Sequence, residues 1–228
     1  MKLLHISDTH GKHKLVTGLP VADIIIHSGD VGMIGTEEEV IDFLNWFLDL
    51  PYRYKIFVPG NHDDCLMDAE ISGLDNNCFI LCNKGIDVEG IKIYGVPAFT
   101  EYAITGEEDK YINLIPNNID ILVTHQPPYG ILDYSDGVHY GSVLLLKRLM
   151  EIKPKFHLFG HIHDAYGIEK GQYTLFSNSS VMDNNYQLKH KANLLVINTT
   201  GNDVLSLCPS QNNREIPDVD EVTAMIEA

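Results

Sequence analysis

Eight short runs rich in β-branched and other apolar residues punctuate the chain, at 2–7, 23–29, 54–60, 91–96, 120–125, 156–161, 173–177 and 193–198. In most of them apolar residues follow one another instead of alternating with polar ones, the pattern of strands buried on both faces. Two helices stand out between the runs. In 36–49, Thr36 and Glu39 have capping-box spacing, and Val40, Phe43, Leu44, Phe47 and Leu48 recur at helical period to form one apolar face. A second helix starts at Ser142 and stops near Lys153, because Pro154 disfavours helical geometry just before it and donates no backbone bond.

Residues 79–96 read as two or three short strands with Gly85 and Gly90 at turns, and 97–111 and 127–141 as loops. Strands alternating with helices in the first half and third quarter imply βα crossover units, and the strand-rich stretches around them imply mixed sheets. Nothing in composition marks a linker or repeat, so 1–228 reads as one domain. Its tail, 209–228, is polar and acidic, and reads either as a short helix from Asp218 or as loosely ordered.

The polar residues change the picture, because five of the runs end in ligand-type side chains. Run 2–7 leads to Asp8 and His10, 23–29 to Asp30, 54–60 to Asn61 and His62, 120–125 ends on His125, and 156–161 leads to His161 and His163. In open α/β sheets the crevice outside the carboxyl ends of the strands is where ligands bind. Asp8 with His10, and His161 with His163, are i, i+2 pairs whose side chains leave the same face of extended chain. Gly11, Gly29, Gly60 and Gly160 beside them permit sharp turns and close backbone approach.

Two carboxylates, an amide and four imidazoles without a thiolate suit borderline divalent ions such as manganese, iron, cobalt or zinc better than calcium or magnesium. Seven ligands exceed what one catalytic ion with an open position needs. A pair of ions sharing a bridging carboxylate accommodates them, and such a pair lowers the pKa of bound water enough to supply hydroxide at neutral pH.

The remaining histidines have plainer readings. His5, His27 and His157 lie inside strand runs and are expected to bond neighbouring backbone; His190 lies in a polar loop. His13 is expected in a solvated loop, with contact to a substrate phosphate as the alternative, and Tyr129 and His139 are candidate pocket walls.

Composition narrows the partners. A length of 228 residues suffices for one α/β domain. The formal charge of −16 argues against a broad electrostatic hold on nucleic acid or an anionic membrane, and favours cations. The first residues lack the pattern of a signal peptide and no apolar stretch is long enough to span a bilayer, so the cytoplasm is the expected location. Cys65, Cys78, Cys82 and Cys208 show no scaffold spacing and read as reduced thiols. Oligomeric state is open.

In these residues the sequence resembles the calcineurin-like metallophosphoesterase superfamily, whose ordered motifs appear as DTH (8–10), GD (29–30), GNHD (60–63), TH (124–125) and GHIH (160–163). Stretches 54–63, 91–100 and 120–130 are further similar to small metallophosphoesterase-domain proteins of the brain-expressed type, a branch active on cyclic nucleotides and other phosphodiesters. The resemblance implies an α/β (α+β) fold, a four-layer α/β/β/α sandwich of two mixed sheets flanked by helices.

It also implies two divalent transition metal ions, manganese, iron or zinc. Asp8, His10, Asp30 and His163 would hold the first and Asp30, Asn61, His125 and His161 the second, with Asp30 bridging. Members of the brain-type branch can lack the histidine at position 161; its presence here implies both ions. His62, directly after Asn61, is then expected to turn toward substrate and to donate a proton to the leaving oxygen or stabilise it, with Asp63 orienting its ring. The expected substrate is a small phosphate ester, a cyclic nucleotide or other small phosphodiester. After GD, the aspartate and arginine of the superfamily's protein phosphatases are missing from GDVGMIG, which disfavours phosphoprotein hydrolysis. The alternatives are a non-catalytic metal-binding interaction module of the same fold, a phosphomonoesterase and a nuclease.

Overall fold

The computed structural model describes residues 1–197 and the backbone of 204–206. Within them lie the strands β1 (Lys2–Ile6), β2 (Ile24–His27), β3 (Tyr54–Phe57), β4 (Cys78–Ile80), β5 (Lys84–Val88), β6 (Ile91–Val96), β7 (Ile121–Thr124), β8 (Tyr134–Ser135), β9 (Val138–His139), β10 (Phe156–Phe159), β11 (Gly167–Lys170), β12 (Leu175–Asn178), β13 (Asn193–Ile197) and β14 (Val204–Ser206). The α-helices are α1 (Glu37–Asp49), α2 (Thr100–Thr105), α3 (Glu107–Asn113) and α4 (Val143–Ile152).

The strands form two six-stranded sheets, ordered β14-β13-β1-β2-β3-β4 and β11-β12-β10-β7-β6-β5, and a separate β8-β9 hairpin. In the first sheet β1 to β4 run parallel and β13 lies antiparallel to β1. In the second β6, β7, β10 and β12 are parallel, with antiparallel β5 and β11 at the edges.

Alternation along each run explains why the runs are continuously apolar. On β1 and β2, Leu3, Ile24 and Ile26 face the second sheet, meeting Ile93, Ile121, Val123, Phe156 and Leu158. The intervening Leu4 and Ile25 face outward and pack with Val40, Phe43 and Phe47 of α1. On the far side Leu122, Phe159 and Phe176 lie with Leu145, Leu146 and Leu149 of α4. The layers are therefore helix, sheet, sheet, helix, the architecture the resemblance implies.

Both anticipated helices form as read. Thr36 and Glu39 make a complete capping box on α1, and α4 begins after Ser142, whose hydroxyl accepts the Leu145 N–H. Two expectations need correction. Gly85 lies inside β5 and only Gly90 sits at the turn, with φ +84°. Segment 97–111 is not a loop, for it carries α2 and most of α3; left-handed Gly106 divides them into pieces too short to show a helical period. The 209–228 tail and Cys208 lie outside the described residues, while Cys65, Cys78 and Cys82 are free thiols.

His5, His27 and His157 are completely buried, as strand positions should be, but their partners are mainly hydroxyls. His5 bonds Ser28 and Ser177, His157 bonds Thr124, and His27 bonds Thr9 as well as the backbone of Gly29. Burial pushes each ring down from 6.5 to about 3. The unfolded chain therefore takes up protons below pH 6.5 that the folded chain refuses until about pH 3, and stability falls as the pH drops through that window. Each ring contributes about 1.4 kcal/mol per pH unit there, about 4 kcal/mol for the three together. Denaturant titrations at pH 7 and pH 5 are expected to show a steep loss of midpoint at the lower pH; equal midpoints would refute the burial of these rings.

Candidate metal centre

The carboxyl ends of β1, β2, β3, β7 and β10 lie where the two sheets are stitched together, by the Ser7 N–H to Ser179 carbonyl bond (2.9 Å) and the Val181 N–H to Ser7 carbonyl bond (3.1 Å). There the strands turn abruptly. Asp8, His10, Asp30 and His161 all adopt left-handed backbone, with φ of 57°, 39°, 59° and 71°. Aspartate and histidine tolerate this region better than most residues, yet such strain clusters where surrounding structure dictates a side chain's aim.

The turns bring the anticipated residues into two adjoining groups. The ligand-type atoms of Asp8, His10 and His163 lie within 4.8 Å of one another, as do those of Asp30, His125 and His161. Asp30 also reaches the first group: its Oδ2 is 3.7 Å from His10 Nε2 and 3.1 Å from His125 Nε2. His10 Nε2 stands only 3.3 Å from His163 Nε2, and His163 Nε2 is 3.5 Å from Asp8 Oδ1. Asn61 Oδ1 is buried and accepts no hydrogen bond.

The imidazoles are aimed from behind. His10, His125 and His163 turn Nδ1 to the carbonyls of Gly32 (3.0 Å), Ser28 (2.8 Å) and Asp183 (3.0 Å). Each bond places the proton on Nδ1 and leaves Nε2 facing inward, the arrangement of metal-binding histidines. Orphaned buried acceptors, crowded Nε2 atoms and fixed tautomers together fit divalent ions at this place.

Glycines make the approach possible. A Cβ on Gly160 would overlap Ser7 and the Asp8 carboxylate, and one on Gly60 the Asp30 carboxylate. Gly160→Ala is expected to displace Asp8, weakening metal binding at least tenfold and lowering stability by about 1–3 kcal/mol. Metal titration and thermal unfolding check this, and wild-type behaviour in both would refute the close approach.

Charge is distributed unevenly. Burial disfavours the Asp8 carboxylate, but the His163, His125 and His10 rings overcome this and hold it far below the ordinary range. Asp30 is lowered as well, burial again opposing and His125 prevailing. Burial likewise works against charge on His125, and Asp30 and Asp8 nonetheless raise it to about 9, while burial and His125 lower His161 to about 4.

His62 and Asp63 part company. The His62 ring turns Nδ1 to the Met33 carbonyl (2.7 Å) and meets His10 edge-on at 4.9 Å, so its Nε2 side faces the cavity. Asp63 does not orient that ring. Its buried carboxylate accepts the N–H groups of Asp30 (2.8 Å), Gly60 (2.8 Å), Val31 (2.9 Å) and Gly32 (3.3 Å), clamping the turn that carries Asp30. Burial and neighbouring Asp30 push this carboxyl up to about 7.

A cavity of about 360 Å³ opens above the groups, walled beyond them by Ser135, Asp136, Tyr140, Asn184 and Tyr186. The 127–141 segment thus supplies a wall, but Tyr129 and His139 do not; His139 is tied to Asp133 at 2.7 Å. His13 does not wall this cavity and is not in a solvated loop: it is buried against Phe43 and Trp46. Sequence reading missed Tyr186, whose ring lies edge-on to His10 (4.9 Å) and His163 (5.4 Å), and Asn184 beside it. The only cue in the sequence is an Asn-Asn-Tyr turn, at 184–186, which lies farther beyond its strand run than any of the anticipated ligands.

Fold and clustered Asp and His side chains point to the metallophosphoesterase class of proteins. The model of the calcineurin-like phosphoesterases matches residues 1–165, and the chain belongs to that family. It is 34% identical over 213 residues to a UPF0046 protein of Caenorhabditis elegans, covering 80% of this chain and 76% of that one. It is 33% identical over 218 residues to metallophosphoesterase domain-containing protein 1 of Homo sapiens, covering 80% of this chain but only 66% of the human protein. The solved structure of TT1561 of Thermus thermophilus superposes with a TM-score of 0.50 at 14% identity, covering 78% of this chain and 88% of that one, a likeness of fold alone. Among the described residues no helix is long and apolar enough to cross a membrane.

Proposed function

We propose that the protein is a two-metal phosphodiesterase acting on small phosphate esters. The observation that carries this reading is the convergence of Asp8, His10 and His163 in one group and of Asp30, His125 and His161 in another, with Asp30 also near His10, and with Asn61, whose buried Oδ1 is unpaired, lining the cavity at the same place. Asp8, His10, Asp30 and His163 would hold one ion and Asp30, Asn61, His125 and His161 the other. Divalent ions held by these residues would supply a hydroxide nucleophile at neutral pH and offset the charge of the phosphate oxygens.

The chain's own residues supply the rest. His62, with Nδ1–H fixed on Met33, protonates the leaving oxygen from Nε2. Asp63 keeps the Asp30 turn in place. The Tyr186 ring restricts how His10 and His163 can swing. Among the described residues that wall the cavity there is no Lys or Arg to neutralise the second charge of a monoester dianion, which favours a diester monoanion.

With manganese supplied, bis-p-nitrophenyl phosphate is expected to be hydrolysed with a higher kcat/KM than p-nitrophenyl phosphate. Preference for the monoester would overturn the diester reading. Failure to hydrolyse either, with metal bound, would mark a non-catalytic module.

A further inference from the structure

Three buried histidines take no part in the chemistry above, yet each holds a residue that flanks or supports a candidate ligand. His27 bonds Thr9, which lies between Asp8 and His10; its Nδ1 accepts the Gly29 N–H (3.2 Å), so Nε2–H is the donor to Thr9 Oγ1 (3.1 Å). His5 Nε2 lies 2.9 Å from the hydroxyl of Ser28, the residue whose carbonyl receives His125 Nδ1.

The third case is the most constrained. His157 Nε2 lies 2.9 Å from Thr124 Oγ1, and Thr124 immediately precedes His125. The Thr124 hydroxyl donates its single proton to the Gln126 carbonyl (2.6 Å). It can therefore only accept from His157, whose proton must sit on Nε2. The other ring nitrogen, Nδ1, is buried without a partner. The ring lies between Phe159 (4.8 Å) and Phe176 (6.0 Å), surroundings in which a phenylalanine would leave no polar atom unsatisfied. Packing does not account for a histidine here; the bond to Thr124 does.

We propose that His157 is a positioning residue of the metal centre, its Nε2–H fixing Thr124, and through it the 124–126 turn that aims the His125 ring at Asp30. His5 acts on the same ring from the other side, through Ser28. Burial keeps both rings uncharged at neutral pH, so the donor and acceptor roles persist. The inference rests on the reading of the site as a metal centre.

The test is calorimetric titration of manganese or zinc into chelator-treated full-length chain, beside thermal unfolding of the metal-free forms. His157→Phe is expected to bind metal about 10- to 100-fold more weakly, the usual cost of losing a residue that orients a ligand. Its metal-free unfolding temperature should equal or exceed that of wild type. His157→Gln, whose side-chain amide nitrogen lies the same number of bonds from Cα, should recover most of the affinity. Thr124→Val, which removes this bond together with the one to the Gln126 carbonyl, should weaken binding at least as much, and adding His157→Phe to it should weaken binding no further.

Affinity of His157→Phe within about twofold of wild type would overturn the proposal. So would a loss matched by lower metal-free stability and not recovered by glutamine. If His157→Phe does not fold, wild-type affinity in Thr124→Val overturns it equally. A wild-type chain that takes up no ion would instead overturn the metal reading itself.

Discussion

Asp30→Asn is expected to reduce diester turnover by on the order of 10³-fold or more and to lower the number of ions bound, while the fold survives. The substitution keeps size and shape. Oδ1 can still accept the His62 N–H at 2.9 Å. What changes is the position of Oδ2, which faces His125 Nε2 at 3.1 Å and His10 Nε2 at 3.7 Å and becomes an uncharged NH₂. Among the described residues no other carboxylate reaches both groups in this way: Asp8 Oδ1 approaches His163 at 3.5 Å but His125 only at 4.0 Å. Losing a shared anion removes several kcal/mol of charge stabilisation, and each 1.36 kcal/mol is a factor of about ten in rate. Metal analysis with kcat/KM on bis-p-nitrophenyl phosphate decides the matter. Two ions retained, with turnover within about tenfold of wild type, would remove Asp30 from the shared position.

The candidate ligands were legible in the sequence because two demands coincide there. A strand buried on both faces must be written in apolar residues, so a polar side chain at its carboxyl end stands out, and five strands of a two-sheet sandwich bring those ends together. What stayed illegible lacks that contrast. Asp63 directly follows His62 in the chain, and adjacency suggested a shared task; in the turn their side chains diverge, one to the cavity and one to four buried N–H groups. Tyr186 reaches the site from a turn whose own backbone, at φ 56°, gives no hydrophobic period to read. Helices α2 and α3 are only 6 and 7 residues long, below the length at which a 3.6-residue repeat separates from chance. His5, His27 and His157 look like misplaced polar residues in strands until their hydroxyl partners, which lie on other strands or turns, are known. Long-range pairing carries that information, and local pattern does not.

His62→Gln should separate proton donation from metal binding. The His62 ring has two readings: it faces the cavity with Nδ1 tied to Met33, and its ligand-type nitrogen also lies within 4.8 Å of those of His10 and Asp30. A proton donor and a metal ligand respond differently to loss of the ring. As a donor, its removal lowers kcat by about 10²- to 10⁴-fold on diesters of simple alcohols, because the departing alkoxide must otherwise leave unprotonated. On nitrophenyl diesters, where the phenolate departs stably by itself, the loss shrinks, and metal affinity stays at the wild-type value throughout. As a ligand, its removal weakens metal binding and depresses turnover alike for good and poor leaving groups. The position of His62 favours the donor: its neighbour Asn61 already presents a buried unpaired oxygen, and the turn that aims Asn61 inward carries the His62 N–H to Asp30 Oδ1. Kinetics across leaving groups, read beside metal content, distinguishes the two. Equal losses on alkyl and nitrophenyl diesters with metal depleted would make His62 a ligand and leave the proton to be supplied by solvent.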